Sequence, residues 1–124
     1  MTAVPAWTEA DFQRHVIGLA RSLGWGVAAS TWKRAADEAA AYGQPLPLDG
    51  LIFHPRFSVG SEAGWPDLTL MRRRDGRVLF RELKTDTGRV SDRQRAVLDL
   101  MAACGLDVAV WRPADLDQIG RELL

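Results

Sequence analysis

The sequence predicts an α/β fold in which helices pack on both sides of a small mixed β-sheet. Its 124 residues allow one domain around one hydrophobic core. With 47% hydrophobic and 26% charged residues, the composition is that of a globular protein. Segments with helical periodicity alternate with short strand-like segments, as α/β packing requires. No apolar run approaches the ~20 residues of a membrane-spanning helix.

The first half of the chain predicts two helices and two extended segments. Thr8 and Asp11 form a capping box, and apolar residues then recur at helical spacing up to Gly24. Residues 25–31 are predicted as a strand and the Ala-rich residues 32–42 as a short helix. A turn-rich connector over 44–50 leads to an extended segment at 51–57 and a loop of small residues at 58–64.

The second half predicts a β-hairpin followed by helix, strand and helix. Residues 67–71 and 77–84 are the two strands, joined at 72–76 by a turn with Asp75 and Gly76 at its tip. Ser91 opens a helix that ends at Gly105. A strand is predicted at 107–111 and a last helix at 115–124, with Pro113 separating them.

Charge is balanced overall but unevenly distributed along the chain. Sixteen basic residues offset sixteen acidic ones, which alone disfavours a polyanionic partner. Residues 72–95, however, hold nine basic and four acidic residues and carry a net charge of +5. Cys104 is the only cysteine, so neither an intramolecular disulfide nor a cysteine zinc site is available. We therefore expect a reducing, cytoplasmic location.

One group of residues has the character of a reaction centre. Glu82 and Lys84 lie two apart on a predicted strand and so share a face, and the hairpin brings Asp67 beside them. Two neighbouring carboxylates need either raised pKa values or a bound cation, and oxygen ligands select Mg²⁺ or Mn²⁺. Such an ion activates water against a phosphodiester, while Lys84 contributes positive charge.

This order of residues resembles the PD-(D/E)XK nuclease superfamily, and more closely its VRR-NUC branch in the small stand-alone form of phages and bacteria. A Pro-Asp followed by Glu-x-Lys is weak by itself, but here further matching positions accompany it in order. The matching positions are Glu9, Phe12-Gln13, Gly24-Trp25, Gly64-Trp65-Pro66-Asp67, Arg81-Glu82-Leu83-Lys84-Thr85, Gly88-Arg89-Val90-Ser91, Gln94, Gly105 and Val110-Trp111-Arg112-Pro113.

The resemblance implies a restriction-endonuclease-like core over a single domain, 1–124, with an insertion at about 31–62. By it, Asp67, Glu82 and the Leu83 carbonyl are metal ligands, and Glu9 matches the acidic residue of the first helix. Lys84 is then the catalytic lysine and Gln94 the glutamine that faces the site. One or two Mg²⁺ or Mn²⁺ ions are expected as cofactor.

The same resemblance implies a structure-selective DNA endonuclease that acts on branched or four-way junction DNA, with a homodimer expected and no membrane association. The residues expected to contact DNA are basic side chains around the site, together with a tryptophan able to stack on a base: Arg72, Arg73, Arg74, Arg77, Arg89, Arg93 and Trp65.

Several alternatives stay open. The chain could be a catalytically inactive DNA-binding module on the same fold, or an adaptor between proteins. Gln94 forms a capping box with Ser91, which stabilises a helix without any catalytic role. A carboxylate at Glu9 stabilises the first turn of a helix in the same way. Arginines at the hairpin tip also suit a solvated turn.

Overall fold

The computed structural model describes residues 6–44, 48–55 and 64–124 as four helices and five strands. Short 3₁₀ turns occupy Arg73–Asp75 and Pro113–Asp115. In chain order the elements are α1 (Glu9–Ser22), β1 (Val27–Ala28), α2 (Ala29–Ala41), β2 (Gly50–Phe53), β3 (Leu68–Arg72), β4 (Arg77–Leu83), α3 (Asp92–Ala103), β5 (Val108–Trp111) and α4 (Leu116–Leu123).

The strands form one mixed sheet in the order β1-β2-β3-β4-β5. The outer pairs, β1 with β2 and β4 with β5, are parallel, and each is linked through a helix. The inner pairs are antiparallel. The predicted α/β fold with a small mixed sheet flanked by helices is therefore confirmed, and it is consistent with a restriction-endonuclease-like core.

The predicted hairpin and the predicted starts of α1 and α3 are also confirmed. Gly76 adopts a left-handed conformation (φ 65°) at the tip between β3 and β4. The Thr8 hydroxyl accepts a hydrogen bond from the Asp11 N–H at 3.1 Å at the start of α1. Both features are local, so the sequence is sufficient to predict them.

The prediction of a strand over 25–31 is wrong in its length. Only Val27–Ala28 pair as a strand, and α2 begins at Ala29, three residues before the predicted helix start at residue 32. Alanine favours the helix over the strand, so the chain turns as soon as β1 has paired with β2. Outside the described residues lie 58–63 of the loop predicted at 58–64, the last two residues of the segment 51–57 and part of the connector.

The span predicted as an insertion, about 31–62, includes a strand of the sheet. It holds most of α2 and all of β2, which pairs with both β1 and β3. This segment therefore extends the sheet beyond the hairpin that carries Asp67 and Glu82.

The hydrophobic core lies on one face of the sheet, against α1 and α4. Leucines alternate along β3 and β4 on this face, and the helices add Phe12, Val16, Ile119 and Leu123, all fully buried. Helix α3 covers the opposite face near β5. Within the described ranges, none of the helices combines the length and apolarity that crossing a membrane requires.

Candidate active site

Asp67 and Glu82 face each other across the β3–β4 hairpin. The register pairs Leu68 with Arg81, so the next pair outward along the ladder is Asp67 and Glu82. Directly opposed residues point to the same face of an antiparallel sheet. Glu82 is only 1% exposed. The predicted meeting of these carboxylates is thus present in the structure, on the face opposite the hydrophobic core.

The Asp67 carboxylate is held by the neighbouring strand. Its Oδ2 accepts a hydrogen bond from the Leu83 backbone N–H at 2.8 Å. Pro66, which is buried and precedes Asp67, has a fixed φ and restricts the backbone of Trp65. The carboxylate therefore has a fixed orientation close to Glu82.

Glu82 has one oxygen engaged in hydrogen bonds and one without a partner. Its Oε2 accepts a hydrogen bond from Gln94 Nε2 at 2.8 Å and lies 3.3 Å from Lys84 Nζ. Its Oε1 is buried and has no hydrogen-bond partner in the described part of the chain. Burial, followed by the nearby Asp67 carboxylate, raises the pKa of Glu82 to about 7, although Lys84 opposes the shift.

Gln94 both caps α3 and contacts Glu82. Its Oε1 accepts a hydrogen bond from the Ser91 backbone N–H at 2.9 Å, and its backbone N–H donates to the Ser91 hydroxyl at 3.1 Å. Because the side-chain oxygen is used in the capping box, the Nε2 donor points to Glu82. The two interpretations of Gln94 are compatible, since each uses a different atom of one amide.

Close contact at Gly64 lets α3 approach the site. Gly64 has a φ of 98°, and a Cβ there would lie 3.0 Å from the Arg93 carbonyl oxygen and from Val97 Cγ2. The Gly64–Pro66 segment thus passes against the helix that carries Gln94. In the sequence this glycine stands out only as part of the Gly64–Asp67 motif, because its role depends on a contact with α3 that the sequence does not reveal.

Trp65 lies beside the site and is partly buried. Its ring packs edge-on against Phe80, with ring centroids 6.0 Å apart and planes at 89°. Phe80 shares its sheet face with Glu82. Trp65 therefore packs on the sheet face that carries Glu82. Its stacking on a base stays a prediction.

Glu9 is exposed in the first turn of α1. Among residues 6–44, 48–55 and 64–124, no three His, Cys, Asp or Glu side chains gather in a way that could hold a metal ion. The structure thus brings together Asp67 and Glu82 but does not add Glu9 to them. Its role as a ligand, like that of the Leu83 carbonyl, stays a prediction.

The arginines divide into buried and exposed groups, and Arg72 does not fit the predicted DNA contact. It is 2% exposed, stacks on Trp25 at 4.3 Å and donates to the Leu23 and Leu123 carbonyls at 2.9 and 3.0 Å. Its remaining donors bind Asp75 at 2.7 and 3.1 Å. A guanidinium with these partners has no surface to offer a phosphate, so Arg72 is a structural residue.

The other predicted DNA-contacting arginines vary in their surroundings. Arg77 is half-buried over Trp25 and donates to the Glu122 carbonyl. Arg73 is largely exposed but donates to the Leu48 carbonyl. Arg74, Arg89 and Arg93 are exposed. Of these, Arg89 and Arg93 lie closest in sequence to Ser91 and Gln94.

A groove of about 380 Å³ lies at the other end of the hairpin. It is lined by Leu51, Met71 and Val78, with Leu48 and Arg73 at its side. Neither carboxylate lines it. The carboxylates lie instead at the start of β3 and the end of β4, beside α3.

The donor set fits a hard divalent cation. Asp67 and Glu82 supply carboxylate oxygens, the ligand type that Mg²⁺ and Mn²⁺ prefer. Glu82 Oε1 is buried without a partner among the described residues, and a cation would compensate that cost. A cation would also relieve the repulsion that contributes to the raised pKa of Glu82.

Comparison with known proteins identifies the family. The family model of the VRR-NUC domain matches residues 27–115, which cover the β3–β4 hairpin, α3 and β5 but not Glu9. No curated protein and no solved structure gives a significant match to the chain. The match spans most of the chain, and its range includes Asp67, Glu82, Lys84 and Gln94. The chain therefore belongs to the VRR-NUC family and is a nuclease.

Proposed function

We propose that this nuclease is a divalent-metal-dependent DNA endonuclease selective for branched DNA, four-way junctions above all. The observation that carries the metal dependence is the Asp67–Glu82 pair, in which Glu82 is buried and its Oε1 has no partner among the described residues. One or two Mg²⁺ or Mn²⁺ ions are the proposed cofactor. A cytoplasmic location accords with the single cysteine.

Each site residue has a distinct role in this proposal. Asp67 and Glu82 would hold the ion together with the Leu83 carbonyl. Glu9, which lies outside this cluster in the structure, would join them from the first turn of α1. The bound ion supplies a more acidic water and a positive charge opposite the scissile phosphate. Lys84, whose side chain is 14% exposed, adds positive charge where negative charge develops. Gln94 fixes the orientation of Glu82.

DNA binding is assigned to the exposed arginines near the site. Arg89 and Arg93 flank the start of α3 and precede and follow Ser91 in the chain. Together with the net charge of +5 over residues 72–95, they support a localised contact with backbone phosphates. Arg73, Arg74 and Arg77 contribute at the far end of the hairpin, and Trp65 stacks on a base.

A homodimer suits cleavage of a four-way junction. Two-fold symmetry presents two sites, so that paired nicks resolve the junction symmetrically. This part of the proposal rests on the family resemblance. Its direct test is the solution mass of the protein with and without DNA.

The test is a cleavage panel of duplex, flap, fork and four-way junction DNA with Mg²⁺, Mn²⁺ or chelator. We expect cleavage of branched DNA with either ion and none with chelator. Glu82→Gln and Lys84→Met should each lose at least about 100-fold in rate, as catalytic groups do. Asp99→Asn on the exposed side of α3 and Lys33→Met on α2 are the matched controls and should keep wild-type rates.

The panel also separates the competing functions. Wild-type protein that binds branched DNA without cutting it under any metal condition would indicate an inactive DNA-binding module. Wild-type rates in Glu82→Gln or Lys84→Met would contradict the assigned site. Cleavage of plain duplex as fast as of branched DNA would remove the structure selectivity and leave the nuclease.

A further inference from the structure

The two groups that contact Glu82 Oε2, the Lys84 ammonium and the Gln94 amide, come from the two ends of one loop. Lys84 directly follows β4, and Gln94 lies in the first turn of α3, so residues 85–91 connect them. Lys84 Nζ and Gln94 Nε2 both approach Glu82 Oε2, at 3.3 and 2.8 Å. The shape of this connecting loop therefore influences both donors at once.

Arg112, just after β5, fixes the middle of this loop. Its Nη1 donates to the Thr85 carbonyl at 2.6 Å and to the Gly88 carbonyl at 2.7 Å. These are the first and last residues of a turn that closes with a bond from the Gly88 N–H to the Thr85 carbonyl at 3.2 Å. One nitrogen of the guanidinium thus holds both ends of the turn.

The residues around Arg112 are held by a hydrogen bond of their own, and a second one joins them to the loop. The Arg112 N–H donates to Asp115 Oδ2 at 3.0 Å. The Ala114 N–H donates to Asp86 Oδ1 at 2.9 Å. The side chain of Arg112 is half-buried against the loop. The connection between β5 and α4 therefore acts as a support for the turn of residues 85–88.

The supported turn contacts the catalytic lysine. A Cβ at Gly88 would lie 3.1 Å from Thr85 Oγ1 and 3.5 Å from Lys84 Cδ, so the Gly88 backbone packs along the stem of Lys84. The Lys84 N–H also bonds to the Trp111 carbonyl at 3.1 Å, one residue before Arg112. Displacement of the turn would free the lysine stem on this side.

We propose that Arg112 is a positioning residue for the two donors of Glu82, Lys84 and Gln94. Removing its side chain takes the Arg112 donor from the Gly88 carbonyl and leaves the Thr85 carbonyl with the Gly88 N–H as donor. It thereby releases the loop whose two ends carry Lys84 and Gln94. The effect on cleavage rests on the proposed function, whereas the effect on the loop does not. Because Arg112 Nη1 is occupied by these carbonyls, its loss is expected to act on turnover and not on DNA affinity.

The experiment compares Arg112→Met with the wild type by NMR in chelator and by steady-state cleavage. Methionine keeps much of the aliphatic stem and removes the donors. In the wild type, the side-chain amide of Gln94 should exchange slowly with water because it donates a hydrogen bond to Glu82. In Arg112→Met, that exchange should accelerate at least about tenfold, while the backbone amides of the hydrophobic core stay protected.

Cleavage of the preferred branched DNA should separate turnover from binding. For Arg112→Met we expect kcat to fall about 10- to 100-fold with KM within about twofold, as for groups that orient a reacting residue. Arg112→Lys, which keeps one donor nitrogen, should recover part of kcat. The exposed Arg121→Met on α4 removes the same charge and should match the wild type in every measurement.

Asp86→Ala tests the support of the loop with a second variant. It removes the hydrogen-bond acceptor of the Ala114 N–H, and Asp86 itself is exposed. The variant should show the same two changes to a smaller extent, and it decides the question if Arg112→Met fails to fold. Unchanged exchange at Gln94 in the folded variant would overturn the proposal, as would a loss confined to KM. If the wild type cuts no DNA, the proposed function fails, and the exchange measurement still tests the role of Arg112.

Discussion

The Asp67 carboxylate accepts a hydrogen bond from the Leu83 backbone N–H at 2.8 Å, across the β3–β4 hairpin. The first acidic residue of the site is thereby tied to the strand that carries the second, Glu82. The hairpin itself therefore sets how closely the two carboxylates approach. The repulsion between them is part of the folded structure and contributes to the raised pKa of Glu82.

Substitutions at Asp67 should separate its structural from its catalytic role. Asp67→Asn keeps an oxygen for the Leu83 N–H and removes the charge, whereas Asp67→Ala loses both. We expect both to reduce cleavage at least about 100-fold. Only Asp67→Ala should also lower the free energy of unfolding, by about 1–2 kcal/mol, because it leaves a backbone donor unpaired. Denaturant unfolding in chelator measures this difference.

The contrary outcome at Asp67 is equally specific. An alanine variant as stable as the asparagine variant would show that the hydrogen bond to Leu83 contributes nothing. Cleavage by the asparagine variant at the parental rate would show that the charge of Asp67 is dispensable, and the metal assignment would then fail.

Metal-free protein should become less stable as the pH rises from about 4.5 to about 7. Below this range Glu82 is protonated in both the folded and the unfolded chain. Within it the unfolded glutamate ionises while the folded one, with its pKa raised to about 7, keeps its proton. The stability that the folded chain gains by keeping Glu82 protonated is therefore lost as the pH rises towards the folded pKa of about 7. We expect a loss of roughly 1–3 kcal/mol, measurable by denaturant titration in chelator.

Glu82→Gln is the matched variant for this pH dependence. It cannot ionise, so its stability should lack this fall and should exceed that of the wild type above pH 7. Addition of Mg²⁺ at pH 8 should raise the unfolding temperature of the wild type and leave that of the variant unchanged. Identical pH profiles for the two proteins would contradict the raised pKa of Glu82.

An alanine at position 64 should disturb the site through α3. Gly64 has a φ of 98°, and a Cβ would come within 3.0 Å of the Arg93 carbonyl oxygen. We expect Gly64→Ala to cost about 1–3 kcal/mol of unfolding free energy and to lower the cleavage rate, because Gln94 lies on the displaced helix. Gly18→Ala in α1, where a Cβ meets nothing within 4 Å, should instead gain about 0.5–1 kcal/mol.

The two glycine variants are compared by thermal unfolding and by cleavage of the same DNA. A neutral Gly64→Ala would mean that the segment before Asp67 moves freely against α3. Reduced cleavage in Gly18→Ala would mean that a glycine replacement remote from the site also lowers activity, and the effect of Gly64→Ala could then not be assigned to the geometry of the site.

The sequence is sufficient to predict the carboxylate pair, because the information is local. An Asp-Gly tip defines the hairpin, the hairpin defines the register, and the register brings Asp67 opposite Glu82. The same holds for Gln94, whose capping box with Ser91 is a spacing of three residues. Where neighbours in sequence determine neighbours in space, the predictions are confirmed.

Prediction is less successful where contacts are distant in sequence. The start of α2 depends on how soon β1 finishes pairing with β2, and the bonds from Arg112 to the turn of residues 85–88 span more than twenty positions. For Arg72 the signal is present in the sequence, in the two-residue period of a strand, although a charged side chain is not expected on the core face. Arg72 continues the alternation of Leu68 and Leu70 on β3, so the two-residue period already places it on the core face.

Arg72 and Arg89 should therefore respond oppositely to substitution. Arg72→Met removes donors from the Leu23 and Leu123 carbonyls and from Asp75, so we expect it to cost about 2–4 kcal/mol of unfolding free energy. Arg89→Met, at an exposed position, should leave stability within about 0.5 kcal/mol and weaken DNA binding. Its binding should also lose about one unit of salt dependence, as expected for one lost phosphate contact.

Denaturant unfolding and salt-dependent binding to one branched DNA, measured below the unfolding midpoint of each variant, distinguish the two arginines. Folded Arg72→Met should bind DNA with the wild-type affinity and salt dependence, because its guanidinium is enclosed by Trp25 and the Leu23 and Leu123 carbonyls. A reduced salt dependence in Arg72→Met would place that side chain against DNA after all. Unchanged binding in Arg89→Met would move the phosphate contact away from the start of α3, towards the hairpin tip where Arg74 is exposed.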